Sequence, residues 1–366
     1  MRKEAKSSMN KKWIVWTLAA LVIALVLYAS VTVYIDPLFH YHAPLPQYQY
    51  PIEDERYQND GILRHFEYDG IITGTSLSER FKTSVADKLF NANFVKVGLA
   101  GSCFWEQHER LERAFKSNDK IKYVIRTLDA DNLFTAKDEN PYGDLPEYLY
   151  NDNIFDDVNY VLNKEIFARS LRVIDYTKMG KKTTTFDNAI VEMSQRKYTG
   201  AEAVLACYTL GEPATEESHI TEQEKQKLLD NLHQNVTDLI EENPNTEFYL
   251  FFPPYSICFW DTQYNLGMVS KIEEAQAAVI EELLQYKNVK LFGFDWDFGT
   301  VCDLDNYFDR IHFSTEVSEQ LLRYMANGEY LITKENYHEY LADVSNFYHY
   351  YNYAALHTEQ KNEQGD

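Results

Sequence analysis

A serine hydroxyl attacks a carbonyl only when a neighbouring imidazole takes its proton, and the imidazole needs a carboxylate to fix its tautomer and orientation. Ser76, His312 and Asp309 supply those three parts. Gly74-Thr75-Ser76 follows an apolar run, and Asp309-Arg310-Ile311-His312 lies just before a segment that Ser314 can cap as a helix. The chemistry expected of them is acyl transfer through a serine ester, with Ser76 as nucleophile, His312 as its base and Asp309 orienting the base. A tetrahedral intermediate also needs donors already aimed at its oxyanion. The backbone N–H groups of Ser76 and Gly101 can provide them, with Asn132 as a further side-chain candidate. Asp129 and Tyr255, each close behind an apolar run, are candidates for contact with substrate.

Taken singly these signals are weak, since Gly and Ser favour turns in any protein. Order and placement carry the argument. Apolar runs at Gly70 to Gly74, Phe94 to Gly98, Tyr123 to Leu128, Phe248 to Phe252 and Val289 to Phe294 alternate with amphipathic segments. Such a pattern predicts a parallel sheet covered by helices, because strands buried on both faces read as continuous apolar stretches. Ligands of open α/β sheets bind beyond the carboxyl ends of the strands. The candidate residues stand at those ends.

The helices have their own signals. Phe104, His108, Leu111 and Phe115 predict one face after the second strand. Thr221 and Glu224 have the spacing of a capping box, and Ile272, Ala275, Val279 and Leu283 form a further stripe. After Ser314, the positions Val317, Leu321, Tyr324 and Met325 repeat at helical period until Asn327-Gly328. More than a hundred residues separate the third and fourth runs, too many for a simple crossover, so a helical insertion is expected over about 135–220. Residues 61–330 are read as the main domain and 331–366 as a helical tail, whose Tyr-rich and His-rich stretch reads as a packing surface.

Residues 13–35 carry no charge and, at about 1.5 Å per residue, span roughly 34 Å as a helix, enough for a hydrocarbon core of roughly 30 Å. Arg2, Lys3, Lys6, Lys11 and Lys12 precede this stretch against Glu4 alone, so the positive-inside rule leaves residues 1–12 in the cytoplasm and the main domain outside. Tyr28-Ala29-Ser30 is a poor cleavage site, which favours an uncleaved anchor over a signal peptide. Residues 36–60, rich in Pro and Tyr at their start, read as a juxtamembrane linker.

A formal net charge of −22 argues against a nucleic-acid partner. Cys103, Cys207, Cys258 and Cys302 lack the spacing of a zinc site and read as buried free thiols, with one or two disulfides of undetermined pairing as the alternative an oxidising exterior permits. His40 and His42 form an HxH pattern without a third ligand, and Asp303, Asp305 and Asp309 lack the glycine and final glutamate of an EF-hand, so neither is read as a metal site. No cofactor is expected. Residue 78 is Ser rather than Gly, which departs from the Gly-x-Ser-x-Gly elbow of α/β-hydrolases.

At these blocks the sequence resembles the SGNH (GDSL-like) hydrolase superfamily. Gly74-Thr75-Ser76 is similar to its Gly-Asp-Ser block with Thr in place of Asp. Gly98-Leu99-Ala100-Gly101 resembles its oxyanion-glycine turn, and Asp309 and His312 match its Asp-x-x-His. The third block departs: where the family has Gly-x-Asn-Asp, this chain has Leu128-Asp129-Ala130-Asp131-Asn132. The resemblance covers roughly 60–330. It implies a flavodoxin-like three-layer αβα sandwich, with five parallel strands, and the site roles given above. The single span and divergent third block are similar to the cell-envelope branch, such as the D-alanyl transfer protein of teichoic acid assembly and the alginate O-acetylation proteins. That likeness implies an O-acyltransferase or esterase acting on a cell-surface glycan or teichoic-acid-like polymer, with a membrane-bound O-acyltransferase as a possible partner. The alternative is a noncatalytic scaffold of the same fold that binds a glycan or such a transferase.

Overall fold

Each of the five apolar runs forms a strand. The computed structural model describes residues 2–141, 146–151, 153–189, 199–208 and 211–356. Its strands are β1 (Gly70–Thr73), β2 (Phe94–Lys96), β3 (Tyr123–Thr127), β4 (Glu247–Phe252), β5 (Val289–Gly293) and β6 (Leu331–Ile332). The helices before the fourth strand are α1 (Arg2–Ile35), α2 (Glu55–His65), α3 (Thr83–Phe90), α4 (Phe104–Ser117), α5 (Val158–Val161), α6 (Lys164–Lys178), α7 (Ala201–Ala206), α8 (Glu222–Leu232) and α9 (Asp238–Glu242). After it come α10 (Ile257–Asn265), α11 (Val269–Leu283), α12 (Phe298–Cys302), α13 (Thr315–Asn327) and α14 (Tyr337–Tyr350). Parts of the expected insertion (142–145, 152, 190–198 and 209–210) and the end of the tail (357–366) lie outside the described residues.

The chain divides into two compact units, one made of 1–66 and 144–184, the other of 67–143 and 185–366. The second holds a mostly parallel sheet in the order β2-β1-β3-β4-β5-β6. Its first five strands run parallel and β6 pairs antiparallel with β5. The expected five-stranded parallel sheet is therefore corrected to six strands with an antiparallel edge. Two residues are too few to show a strand pattern, so β6 was hidden in the expected tail. The parallel strands follow the 2-1-3-4-5 order of flavodoxin-like sheets, in which the strand order reverses between β1 and β3 and opens a crevice there.

Helix signals translate unevenly into burial. On α11, Ile272, Ala275, Val279 and Leu283 are all buried, and Thr221 closes a capping box with Glu224 at the start of α8. Ser314 caps α13 and Gly328 ends it at φ +74°. On α4 Phe104 and Leu111 of the expected stripe are buried, Phe115 packs on Phe248 of β4 with ring centroids 6.1 Å apart and His108 is half-buried, while the face also takes in Glu106, Gln107, Arg110 and Ala114. Gln107 is drawn inward by Arg126 on β3, whose guanidinium lies inside the fold. Arg126 Nε donates to Gln107 Oε1 at 2.8 Å and Nη1 donates to the Asn235 carbonyl at 2.8 Å. Asn235 sits in a π-turn, His233–Thr237, between α8 and α9. Such turns commonly mark a local demand on the helix. Here it is a buried cation, lowered to about 9 by desolvation.

In the first unit, α1 carries a stretch, Lys11–Ile35, that is long and apolar enough to cross a membrane. It ends at Asp36, which holds φ +48°. The Asp36 carboxylate accepts the backbone N–H groups of His40, Tyr41 and His42 and the Tyr160 hydroxyl, the last at 2.5 Å. Tyr50 donates its hydroxyl to the Ile35 carbonyl at 2.7 Å, satisfying one of the acceptors a helix end leaves open. Residues 36–60, expected as a linker, are thus folded against the 144–184 segment, with Arg169 on Asp54 at 2.6 Å and Leu38 packed with Tyr160 and Ile166. His40 and His42 serve this unit, His40 through Asp157 at 3.1 Å.

Candidate active site

β1 is buried along its whole length and delivers the chain to Gly74 at φ +140°. A Cβ there would lie 2.3 Å from Thr127 Oγ1 on the neighbouring strand, so only glycine lets the backbone turn this close to β3. Thr75 follows, and Ser76 opens a short 3₁₀ turn, Ser76–Arg80. On the β2 side of β1, the chain leaving β2 makes a tight turn from Leu99 to Ser102, closed by Ser102 N–H donating to Leu99 O at 3.0 Å. Gly101 takes the positive φ, +67°, that the turn requires. A Cβ on Gly98 would meet Ser78 Oγ at 2.2 Å, so the two strand-end loops fit only because this position is bare.

His312 arrives from the other end of the chain on a short hairpin marked by the Tyr307–Phe313 bridge. That hairpin is pinned to the loop after β4. Tyr307 donates to the Pro254 carbonyl at 2.8 Å, and the Ser256 hydroxyl donates to Arg310 O at 2.8 Å. So held, His312 Nε2 lies 2.8 Å from Ser76 Oγ. Its Nδ1 lies 2.8 Å from Asp309 Oδ2, and the other Asp309 oxygen accepts the backbone N–H groups of Ile311 and His312, both at 2.8 Å. Burial works to raise the Asp309 carboxyl. The imidazole and the two N–H groups outweigh it and hold the carboxyl well below its ordinary range. For Nε2 to accept the serine proton, Nδ1 must carry the ring's hydrogen, which is the tautomer a carboxylate acceptor selects.

Ser76 and His312 open on a cleft of about 160 Å³ that is also lined by Gly101, Asp129, Asn132 and Tyr255. All the site residues expected from the sequence except Asp309 line it, and Asp309 stands directly behind His312. Asn132 Nδ2 donates to the Ser102 carbonyl at 3.1 Å, tying the loop after β3 to the Gly101 turn. Asp129 is buried and accepts from Thr75 Oγ1 at 2.8 Å and from Thr127 Oγ1 at 2.5 Å. Burial raises its carboxyl, and those hydroxyls oppose the shift. The Tyr255 hydroxyl accepts Ala130 N–H at 3.1 Å and reaches Asp129 at 3.5 Å, while its ring stacks on Phe259 with centroids 4.2 Å apart. Asp295, which also follows a strand, is elsewhere, buried against Gln276 and Tyr340.

Cleft residues that the sequence reading passed over are Leu77, Ser102, Asp131, Phe259 and Ile311. Asp303 acts as a local cap, accepting Asp305 N–H at 3.1 Å, and Asp305 accepts Ala201 N–H at 3.4 Å at the start of α7. The four cysteines are free thiols. No family model matches the chain, and no curated protein matches it either.

Proposed function

We propose that this chain is a single-pass membrane protein whose sheet-bearing unit is an SGNH-like serine acyltransferase or esterase, facing outward and acting on a cell-surface polysaccharide or teichoic-acid-like polymer. One observation carries the reading. Ser76 Oγ, His312 and Asp309 form a continuous chain of 2.8 Å contacts although Ser76 and His312 are 236 residues apart. The supporting facts are the strand order, the cleft at the reversal point and the positive residues before α1. An αβα sandwich of the SGNH kind accounts for the first two, and the positive-inside rule makes the third a reason to put that unit outside.

In this mechanism Ser76 Oγ bonds to the ester carbonyl carbon as its proton passes to His312 Nε2. The Asp309 carboxylate stabilises the imidazolium that forms. Backbone N–H groups of Ser76 and Gly101, with the second Asn132 amide hydrogen, hold the oxyanion. Collapse breaks the bond to the leaving oxygen, which takes the proton from His312. An acceptor hydroxyl, from water or a sugar, then repeats the sequence in reverse on the acyl-serine. A membrane-bound O-acyltransferase is the partner that the cell-envelope resemblance implies as the source of acyl groups.

Treatment of the purified full-length protein with a fluorophosphonate tests the reading. The expected result is one adduct on Ser76, absent in Ser76→Ala and strongly slowed in His312→Ala. Folded protein that forms no adduct would remove the serine chemistry and leave the scaffold reading. Acetate release from a chromogenic ester, with and without a glycan acceptor, then separates hydrolysis from transfer.

A further inference from the structure

The first unit carries an apolar surface that serine chemistry does not use. Ile154, Phe155, Val158 and Leu162 are exposed, Phe155 by 86% and Ile154 by 74%. Ile154, Val158 and Leu162 form one wall of a groove of about 500 Å³ whose other wall is α1 from Val22 to Ala29. Of the acids in the same segment, Asp157 accepts the Tyr41 hydroxyl at 3.0 Å and meets His40 Nε2 at 3.1 Å, and Asp156 Oδ2 accepts from Asn151 Nδ2 at 2.8 Å while its Oδ1 is buried without a hydrogen-bond partner among the described residues. Packing fixes the arrangement, since Tyr28 of α1 stacks on Phe167 of α6 with centroids 4.1 Å apart.

Depth follows from α1. The apolar stretch Lys11–Ile35 has 25 residues. At 1.5 Å per residue it is roughly 37 Å long, against a hydrocarbon core of roughly 30 Å. Val22 and Ala29 stand roughly 20 Å and 9 Å from its Ile35 end by the same rise. Wherever a slab of that thickness sits along the stretch, both positions fall inside it. Side chains that face them across the groove are then at hydrocarbon depth too. Exposed phenylalanine and isoleucine are what such a place favours, because apolar side chains gain by leaving water and lose nothing among acyl chains.

We propose that residues 153–162 form a wedge in the lipid leaflet beside α1, with Ile154, Phe155, Val158 and Leu162 among the acyl chains. The inference rests on α1 crossing a bilayer and is independent of the serine chemistry. It is tested with the full-length chain in phosphatidylcholine vesicles, carrying the photoreactive p-benzoylphenylalanine in turn at Ile154, Phe155, Leu25 or the exposed Glu281 on α11. Illumination is expected to give phospholipid adducts at 154 and 155 to an extent comparable with 25, and a loss of adduct at 281. Adducts at 25 without any at 154 or 155 overturn the wedge while leaving the span in place. No adduct at 25 removes the span, and the wedge falls with it. In native membranes, cross-linking of 155 to another polypeptide in preference to lipid would show that a protein face is the true occupant and would also overturn the proposal.

Discussion

The proton of Ser76 can leave only if the ring beside it offers a bare nitrogen, and Asp309 decides whether it does. Asp309→Asn keeps the shape but lets either ring nitrogen carry the hydrogen, so fluorophosphonate labelling and ester turnover should fall on the order of 10³- to 10⁴-fold with the fold intact by circular dichroism. The same carboxylate has a stability signature. Its folded value lies below the ordinary 3.8, so its contribution is present above that value and is lost as pH falls through the folded one. Wild type should therefore exceed Asp309→Asn in urea resistance at neutral pH, and the gap should narrow in acid. Equal gaps at both ends would mean that the His312 contact does not hold Asp309 ionised. At this scale the chemical types were legible. Ser76, His312 and Asp309 follow apolar runs or precede a helix cap, and a strand end fixes where the next residue points. Asp131 and Phe259 were not legible, because an acid on a loop and an aromatic on a helix have many uses and only their place in the cleft selects one.

Elements position these residues through contacts that a bare list of strands does not contain. The passage of β1 into Ser76 depends on the missing side chain of Gly74. Gly74→Ala would force a Cβ against Thr127 at a φ of +140°, and should cost about 1–3 kcal/mol in chemical denaturation while also slowing Ser76 labelling. If stability drops and labelling does not, the turn is tight for packing alone. Arg126 offers a second test. Removing it by Arg126→Ala leaves Gln107 Oε1 and the Asn235 carbonyl without their buried donor and should cost about 3 kcal/mol or more. A midpoint in urea unchanged from wild type would contradict that. The interior arginine also explains what the α4 stripe left out. Apolar periodicity assumes that a helix buries hydrocarbon, whereas α4 also buries a glutamine to meet a cation from the sheet. β6 escaped for a simpler reason, since its two residues follow from pairing with β5 and from no pattern of their own.

Across the whole molecule, the folding of 36–60 with 144–184 was the least legible feature. Its bonds, such as Tyr160 to Asp36, join residues more than a hundred positions apart and leave no periodic trace. The tail is deeply built in. Tyr340, Val344 and Tyr348 of α14 are buried, and Tyr340 reaches Asp295 at 2.8 Å over Gly293, where a Cβ would strike its ring at 2.3 Å. Desolvation pushes the Asp295 carboxyl up to about 7 from an ordinary 3.8. A value raised on folding favours the native state most fully below 3.8, and that advantage is lost as pH rises toward 7. Asp295→Asn keeps an acceptor for Tyr340 without the titration, so its stability should be flatter than wild type between those limits in urea melts. A wild-type profile that is itself flat there would show that Asp295 ionises freely in the fold.

Asp36 has a mechanical consequence. Its carboxylate gathers three backbone N–H groups just past the last turn of α1, and Tyr50 grips the final carbonyl, so the exit from the apolar helix is a stiff elbow and not a swivel. A tether would let the folded residues beyond it swing freely about the helix end. If α1 spans a bilayer, as proposed above, the strut passes each tilt of that helix to residues 36–66 and 144–184 packed beyond it, and bilayer thickness becomes a setting for how they are presented.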